Sequence, residues 1–409
     1  MEDSKYKTSI SSLENNPKTN LLGLTKAEIK SLLNKINLPN FRASQIWNWI
    51  YRSGTIDFNE MTNISKELRS LLSKNFNIWR PKISSTHQSQ DGTIKWLLKL
   101  DDGNEVETVW IPDEERGTLC ISSQVGCTLT CKFCHTGTQR LVRNLSSSEI
   151  VGQVMLAMDQ LKDWPSASEN RLLTSIVLMG MGEPLHNYKN LTKALRIMLD
   201  DNALNLSHRK VTVSTVGIVP AIKKLANELP VNLAISLNAS TEEQRRQVMP
   251  ITRKYSIEKL LDVCRDIPLY GKRITFEYVM MKGFNDTLED AHRLMNLLEG
   301  IKSKVNLIPY NENPNREILR PDPKRVKEFQ HYLVSRGRQC TIRTTRGIDI
   351  SAACGQLGKG EKQQRVRISR IPTAPSIDVE VLDKIFSAKI NKKLISSVLY
   401  KTNANFKGR

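Results

Sequence analysis

Beyond residue 117 the chain alternates short apolar runs with longer segments whose apolar residues recur every three or four positions. The short runs predict strands at 118–122, 173–180, 209–216, 232–237, 274–281, 305–310 and 340–345. The amphipathic segments predict helices near 147–163, 188–200, 218–228, 256–266, 287–299 and 322–336. Ser146-x-x-Glu149 has the spacing of a capping box and opens the first of these helices. Runs such as LTSIVLMG and NLAISL are apolar almost throughout, as expected when helices cover one face of a sheet and side chains fill the other. This alternation predicts an α/β fold on a parallel sheet, open or curled into a barrel. Its functional residues belong where strands run into the following loops.

The first hundred residues read differently. Residues 1–20 are polar and predict a flexible tail. Apolar positions at helical spacing follow: Leu21, Leu22, Leu24, Ile29, Leu32 and Leu33, then Phe41, Ile46, Trp47, Trp49 and Ile50, then Ile64, Leu68, Leu71 and Leu72. With Lys and Arg between them, residues 21–90 form a helical accessory unit that fits an ordinary cap or an RNA-binding module equally well. Residues 91–116 predict a β-hairpin, since Ile94, Trp96, Leu98 and Leu100 alternate before Asp102–Gly103, and Val106, Thr108 and Trp110 alternate after it. Glu105, Glu107, Val109 and Ile111 share the other face of the second strand. For Glu107 a solvated sheet edge is favoured over a pocket by roughly two to one.

Composition narrows the class. The chain has 409 residues, 39% of them hydrophobic and 25% charged, enough for a sizeable core. Its net charge of +19 suits a polyanionic partner, nucleic acid ahead of a membrane surface. No stretch approaches the roughly 20 apolar residues of a membrane span, and the N-terminus lacks an apolar signal region. Seven cysteines on such a chain argue against a disulfide framework and for a reducing, cytoplasmic location. Residues 356–409 carry 12 Lys plus Arg against 4 Asp plus Glu and read as a basic tail, with a short helix within Ile377–Tyr400.

The sharpest chemical signal is Cys127-Thr-Leu-Thr-Cys131-Lys-Phe-Cys134, three thiols on the loop after the strand ending near Ser122. Three thiolates need a fourth ligand to complete a structural zinc site, and a distant Cys or His could provide it. Cys131-Lys-Phe-Cys134-His135 also fits a haem-attachment pattern, though that chemistry goes with export. Three ligands from one loop suit a four-iron cluster best, with the fourth iron open to a small molecule.

The C-x3-C-x2-C loop after the first strand resembles the radical S-adenosylmethionine superfamily, and Gly180-Met181-Gly182-Glu183-Pro184 after the second resembles its GEP element. SSQVGCTLTCKFC, VLMGMGEPLHN, LAISLNAS, LIPYN and TTRGIDISAACGQL together resemble RlmN-type adenine C2-methyltransferases, over about residues 20 to 357. The resemblance implies a radical S-adenosylmethionine partial (β/α)6 barrel over 117–355, after a small helical RNA-binding domain. It implies a [4Fe-4S] cluster on Cys127, Cys131 and Cys134. It implies S-adenosylmethionine bound by Gly182, Glu183, Ser214, Ser236, Leu237, Asn238 and Asn311. Cys354 would be S-methylated, Cys120 its disulfide partner, and Glu107 the proton acceptor. Relatives are expected to carry SLHA where this chain has Ser236-Leu237-Asn238-Ala239.

The implied chemistry answers a reactivity problem. C2 of adenine is electrophilic and does not attack a methyl sulfonium, whereas a carbon radical generated on the methyl of Cys354 can add to it. The covalent adduct would be released by Cys120 attacking the Cys354 sulfur and Glu107 taking the C2 proton. The implied partners are 23S rRNA and tRNA, with the adenine flipped out, and a one-electron reductant such as flavodoxin or ferredoxin; a monomer is expected. Two readings compete: a Cfr-type adenine C8-methyltransferase, and a non-enzymatic iron–sulfur RNA-binding protein. Cys264 reads as a buried small hydrophobe. Arg343 and Arg346 fit RNA phosphate or a salt bridge about equally.

Overall fold

The computed structural model describes residues 18–113, 117–166, 168–312 and 317–358. Most of the expected N-terminal tail, and the basic segment beyond residue 358 with its expected helix, lie outside the described residues.

Three helices open the fold: α1 (Lys26–Lys35), α2 (Phe41–Tyr51) and α3 (Lys66–Asn75). Thr25 caps α1 through a capping box with Glu28, and Ser65 caps α3 on the Leu68 N–H. Ile29, Leu33, Ile46, Trp47, Ile50 and Leu72 are all buried in a core continuous with the rest of the molecule. The join is tight at Gly23, whose carbonyl accepts from Ser147 Oγ at 2.8 Å and whose N–H donates to the Tyr51 hydroxyl at 2.8 Å.

An antiparallel meander follows: Lys82–Gln88, Ile94–Lys99 and Glu105–Ile111. The expected hairpin is its second and third strands. Lys82–Gln88 falls inside the stretch read as helical. It is an edge strand, polar on both faces, so no apolar alternation marks it.

The third meander strand pairs antiparallel with Gly117–Cys120, the first of seven strands that run parallel to one another. The other six, in spatial and chain order, are Leu173–Leu178, Val211–Thr215, Asn232–Ser236, Ile274–Met280, Ser303–Pro309 and Cys340–Ile342. They are barrel strands one to seven below. The connecting helices are α4 (Ser147–Gln160), α5 (Tyr188–Leu199), α6 (Val219–Glu228), α7 (Glu242–Val248), α8 (Ile257–Asp266), α9 (Leu288–Leu297) and α10 (Pro323–Val334). The Ser146–Glu149 capping box is present on α4. Only α7 was not anticipated, a seven-residue helix too short and polar to carry a periodic signal.

Register decides what points inward. Residues opposite one another across a strand pair share a face. Lys95 pairs with Val109, Val109 with Cys120, and Cys120 with Val177. Glu107 is two residues from Val109, so Lys95, Glu107 and Cys120 share one face. On the far strands Ser236 pairs with Glu277, Glu277 with Asn306, and Asn306 with Thr341. Arg343, two residues beyond Thr341, continues that second line.

The ten-stranded sheet is open, with Lys82–Gln88 and Cys340–Ile342 at its edges. Residues 347–358 reach from the last strand back to the meander. Gly347 N–H donates to Asp91 Oδ2 (2.9 Å), Ser89 Oγ to Asp349 Oδ1 (2.6 Å), and Lys95 Nζ to the Ser351 carbonyl (3.2 Å). These bonds bring both ends of the sheet together.

Gly23 has φ +77°, and a Cβ there would lie 2.3 Å from the Ser148 nitrogen. Gly23→Ala is expected to destabilise the protein by about 2–4 kcal/mol, from left-handed backbone strain and displacement of α4. Denaturant unfolding checks this, with an unchanged midpoint as the contrary result.

Candidate active site

The loops after the first two barrel strands are fastened to each other. Gly180 N–H donates to Ile121 O (3.1 Å), Met181 N–H to Ser122 Oγ (2.9 Å), Ser123 N–H to Met181 O (2.8 Å), and Glu183 N–H to Gln124 Oε1 (2.9 Å). Gly182 sits at φ +98°, where a Cβ would lie 2.5 Å from that of Gln124. Glycine is therefore required for the two loops to approach this closely.

Around them opens a cavity of about 980 Å³, including the part continuous with solvent. It lies at the carboxyl ends of the parallel strands, where such folds bind ligands. Ten of the thirteen residues expected from sequence line it: Cys127, Cys131, Cys134, Gly182, Glu183, Ser214, Ser236, Asn238, Asn311 and Cys354. Leu237, Glu107 and Cys120 do not. The Leu237 side chain is in the core; its N–H donates to Glu277 O and its carbonyl accepts from Arg245.

Burial pushes the Cys127 thiol up to about 12 and the Cys131 thiol higher still. Without a metal these groups stay protonated; metal coordination is what makes such thiols thiolates. Among the described residues no three Cys, His, Asp or Glu donors converge as one ion would require. Three neighbouring thiols from one loop, all lining the cavity, suit a cluster, in which each thiolate takes its own iron.

Glu183 is buried beside the cysteine loop, where its charge is felt at Cys127 and Cys131. One carboxylate oxygen accepts from Leu185 N–H (3.0 Å) and the other from Val216 N–H (3.0 Å). Burial raises its pKa to about 7. A ligand ammonium is the partner that would restore its charge.

Asn238, the departure from the expected SLHA, has φ +58°, a left-handed conformation that asparagine tolerates well. Its Oδ1 accepts from Val279 N–H (2.8 Å) and its Nδ2 lies 3.4 Å from the Met249 sulfur. The amide is occupied within the protein.

Cys354 closes the cavity from the segment that bridges the sheet. Asn311 Nδ2 donates to the Cys354 carbonyl (3.1 Å), His135 N–H to Gly355 O (2.6 Å), and Thr136 Oγ1 to Leu357 O (2.6 Å). The methyl-carrier candidate is thereby tied to the cysteine loop. Gly358 N–H donates to Glu107 Oε2 (2.7 Å), and Lys95 Nζ pairs with Oε1 (3.0 Å). Glu107 is therefore not at a solvated edge. It is 6% exposed, and its expected edge position is overturned because Lys95 on the adjacent strand neutralises it. Cys120 is buried, and burial together with the neighbouring Cys354 raises its thiol to about 12. All seven cysteines are free thiols, so the implied Cys120–Cys354 disulfide is not present.

Sequence reasoning missed three residues here. Lys95 looked like an ordinary polar position of the hairpin. Arg245 lies in the unanticipated helix. Glu277 lines the cavity with its carboxylate bonded to Asn306 Nδ2 (2.7 Å), and burial raises its pKa. A lone acid within ITFEYVM was the available signal. Arg343 resolves toward the protein interior: Cys354 first, then Glu277 and Cys120, hold its guanidinium above its ordinary value against desolvation.

Residues 19–78 match the ribosomal RNA large subunit methyltransferase N-terminal domain, and residues 121–298 match the radical SAM superfamily. The dual-specificity RNA methyltransferase RlmN of Rhodopseudomonas palustris strain BisB5 is 49% identical over 365 residues, spanning 86% of this chain and 92% of that one. The chain belongs to the RlmN family. The RlmN protein of Rhodospirillum rubrum is 48% identical over 370 residues, covering 90% of this chain and 86% of its own. Among solved structures, a radical SAM methyltransferase from Sphaerobacter thermophilus superposes with a TM-score of 0.78 at 41% identity, over 83% of this chain and 99% of that one. Family membership brings the [4Fe-4S] cluster and S-adenosylmethionine as cofactors, and the donor set of the cavity fits both. Among the described residues no helix is long and apolar enough to cross a membrane.

The Lys95–Glu107 pair is more than nine-tenths buried on both sides. Lys95→Met should cost about 3–5 kcal/mol by stranding the carboxylate, and adding Glu107→Leu should recover most of that. A double-mutant cycle on unfolding midpoints measures it; additive losses would show the two side chains to be uncoupled.

Proposed function

We propose that this protein methylates C2 of adenine in 23S rRNA and tRNA by a radical mechanism, with Cys354 as methyl carrier. The observation that carries this reading is that one cavity receives the three thiols of the 127–134 loop, Glu183 and Cys354 together. Cys127, Cys131 and Cys134 would hold the cluster. Gly182, Glu183, Ser214, Ser236, Asn238 and Asn311 would hold S-adenosylmethionine, with Leu237 fixing the strand end between Ser236 and Asn238. When bound, that pair supplies a carbon radical able to abstract hydrogen from a methyl group.

The chain's own residues do the rest. Cys354 presents its sulfur at the cavity wall, with Arg343 nearby, and that sulfur would accept the methyl. Cys120 stands behind it as the resolving thiol, its proton held until the carrier sulfur is attacked. Glu107, fixed at both oxygens by Lys95 and Gly358, receives the C2 proton. The 347–358 bridge keeps base and carrier in one frame. The basic surface of the chain would engage the RNA backbone, making binding salt-dependent. A flavodoxin- or ferredoxin-type donor, a monomeric state and a cytoplasmic location complete the proposal.

The test is anaerobic incubation of reconstituted protein with S-adenosylmethionine, reductant and RNA. Expected products are 5′-deoxyadenosine and 2-methyladenosine; a methyl mapped to C8 overturns the assignment, and no modification at all favours a non-enzymatic RNA binder. Cys131→Ala should lose both products. Cys354→Ala should yield no methylated RNA. Cys120→Ala should leave RNA attached to protein, seen as a retarded band on a denaturing gel. Glu107→Gln should slow turnover roughly 10²–10⁴-fold, read as rates of 2-methyladenosine formation.

A further inference from the structure

Arg245, in the middle of α7, has no accessible surface and no part in the roles above. Its Nε donates to Leu237 O (3.1 Å), Nη1 to Thr252 Oγ1 (3.0 Å), and Nη2 to Val216 O (2.5 Å) and Ser236 O (3.2 Å). Every one of these acceptors is neutral. Of the acids beside it in sequence, Glu243 accepts from Gln247 Nε2 (3.2 Å), and Glu242, whose charge does reach Arg245, spends its carboxylate on Arg246 (3.5 Å) and the Ile257 N–H (2.8 Å). A buried guanidinium whose hydrogen bonds all end on dipoles is costly unless negative charge offsets it.

The end of α7 is fastened to the cysteine loop. Lys132 N–H donates to the Val248 carbonyl at 3.0 Å, and Val248 and Met249 pack in one cluster with Cys131. The Arg245 charge is felt at Cys131; burial disfavours that charge, and Cys131 and then Glu242 favour it. The same guanidinium gathers the carbonyls of Val216, Ser236 and Leu237, at the ends of barrel strands three and four. Those ends present Ser214, Ser236 and Asn238 to the cavity.

A four-iron cluster with three protein thiolates carries one net negative charge when oxidised and two when reduced. A fixed cation beside it favours the reduced form. We propose that Arg245 is a positioning residue that supplies the buried counter-charge to a cluster on Cys127, Cys131 and Cys134, while its fork holds the ends of barrel strands three and four against S-adenosylmethionine. This rests on the cluster assignment made above.

The experiment uses the full chain, reconstituted anaerobically, with iron and sulfide measured first. The cluster midpoint is then titrated by electron paramagnetic resonance in the native protein, Arg245→Gln and Arg245→Lys, and S-adenosylmethionine affinity is measured by equilibrium dialysis. In Arg245→Gln the reduced-to-oxidised ratio at fixed potential should fall about tenfold, ~59 mV for one electron. Arg245→Lys should keep the native midpoint, and both variants should bind S-adenosylmethionine more weakly. An Arg245→Gln protein with a full cluster and a native midpoint overturns the proposal. If that variant holds no cluster, Arg245→Lys decides: a native midpoint with weakened ligand affinity supports the proposal, and a shifted midpoint or native affinity overturns it. Native protein lacking iron and sulfide would instead sink the cluster assignment itself.

Discussion

An open parallel sheet has two free edges, and here a single chain segment spans the gap between them. Residues 347–358 leave the last barrel strand, bond to the meander through Asp91, Asp349 and Lys95, and touch the cysteine loop through Gly355 and Leu357. Nearly every feature of the candidate site depends on this bridge. It carries Cys354 to the cavity, and it supplies the Gly358 N–H that fixes Glu107. Closing the sheet and assembling the site are thus one structural event. The methyl-carrier role proposed for Cys354 would be served by its standing on a segment rather than inside a strand.

The bridge is surrounded by an unusual number of buried ionisable groups. Glu107 is matched by Lys95, Glu183 has only hydrogen-bond donors, and Glu277 has Arg343 and Lys304 nearby as well as its bond to Asn306; burial raises both Glu183 and Glu277. Arg343 and Arg245 face thiols and carbonyls more than carboxylates. Such a pattern is costly in an empty cavity, because low polarity penalises each uncompensated charge. It becomes balanced once a cationic ligand and an anionic cluster occupy the same space. The polar interior is better understood as half of an electrostatic arrangement whose other half is bound than as a stabilising feature of the fold.

The two parts of the chain also differ in how their stability arises. The helical unit and the barrel share one apolar core, joined where Gly23, Tyr51 and Ser147 meet. The first meander strand is polar apart from Ile83, which packs against that core, and is otherwise held by strand pairing. A helical unit fixed so firmly to the barrel holds its basic residues in a constant relation to the cavity mouth.

The order of strands and helices was legible in the sequence because buried parallel strands are apolar on both faces and amphipathic helices are not. The seven barrel strands and all their long helices follow from that contrast. Lys82–Gln88 and α7 escaped because an edge strand and a seven-residue helix bury too little to leave a pattern. The cysteine spacing and the glycines of Gly180–Glu183 were equally visible, since a loop that binds a ligand must draw its groups from a short stretch of chain. What the sequence could not decide was the environment of each group. Glu107 read as a solvated edge until strand register set Lys95 beside it, and Asn238 was a substitution without a consequence until its left-handed backbone was seen. Periodicity and spacing are properties of neighbours along the chain; the Lys95–Glu107 pair is set by strand register, and the bond of Gly358 to Glu107 and the approach of Cys354 to Cys120 join residues more than two hundred positions apart, which only packing in three dimensions brings together.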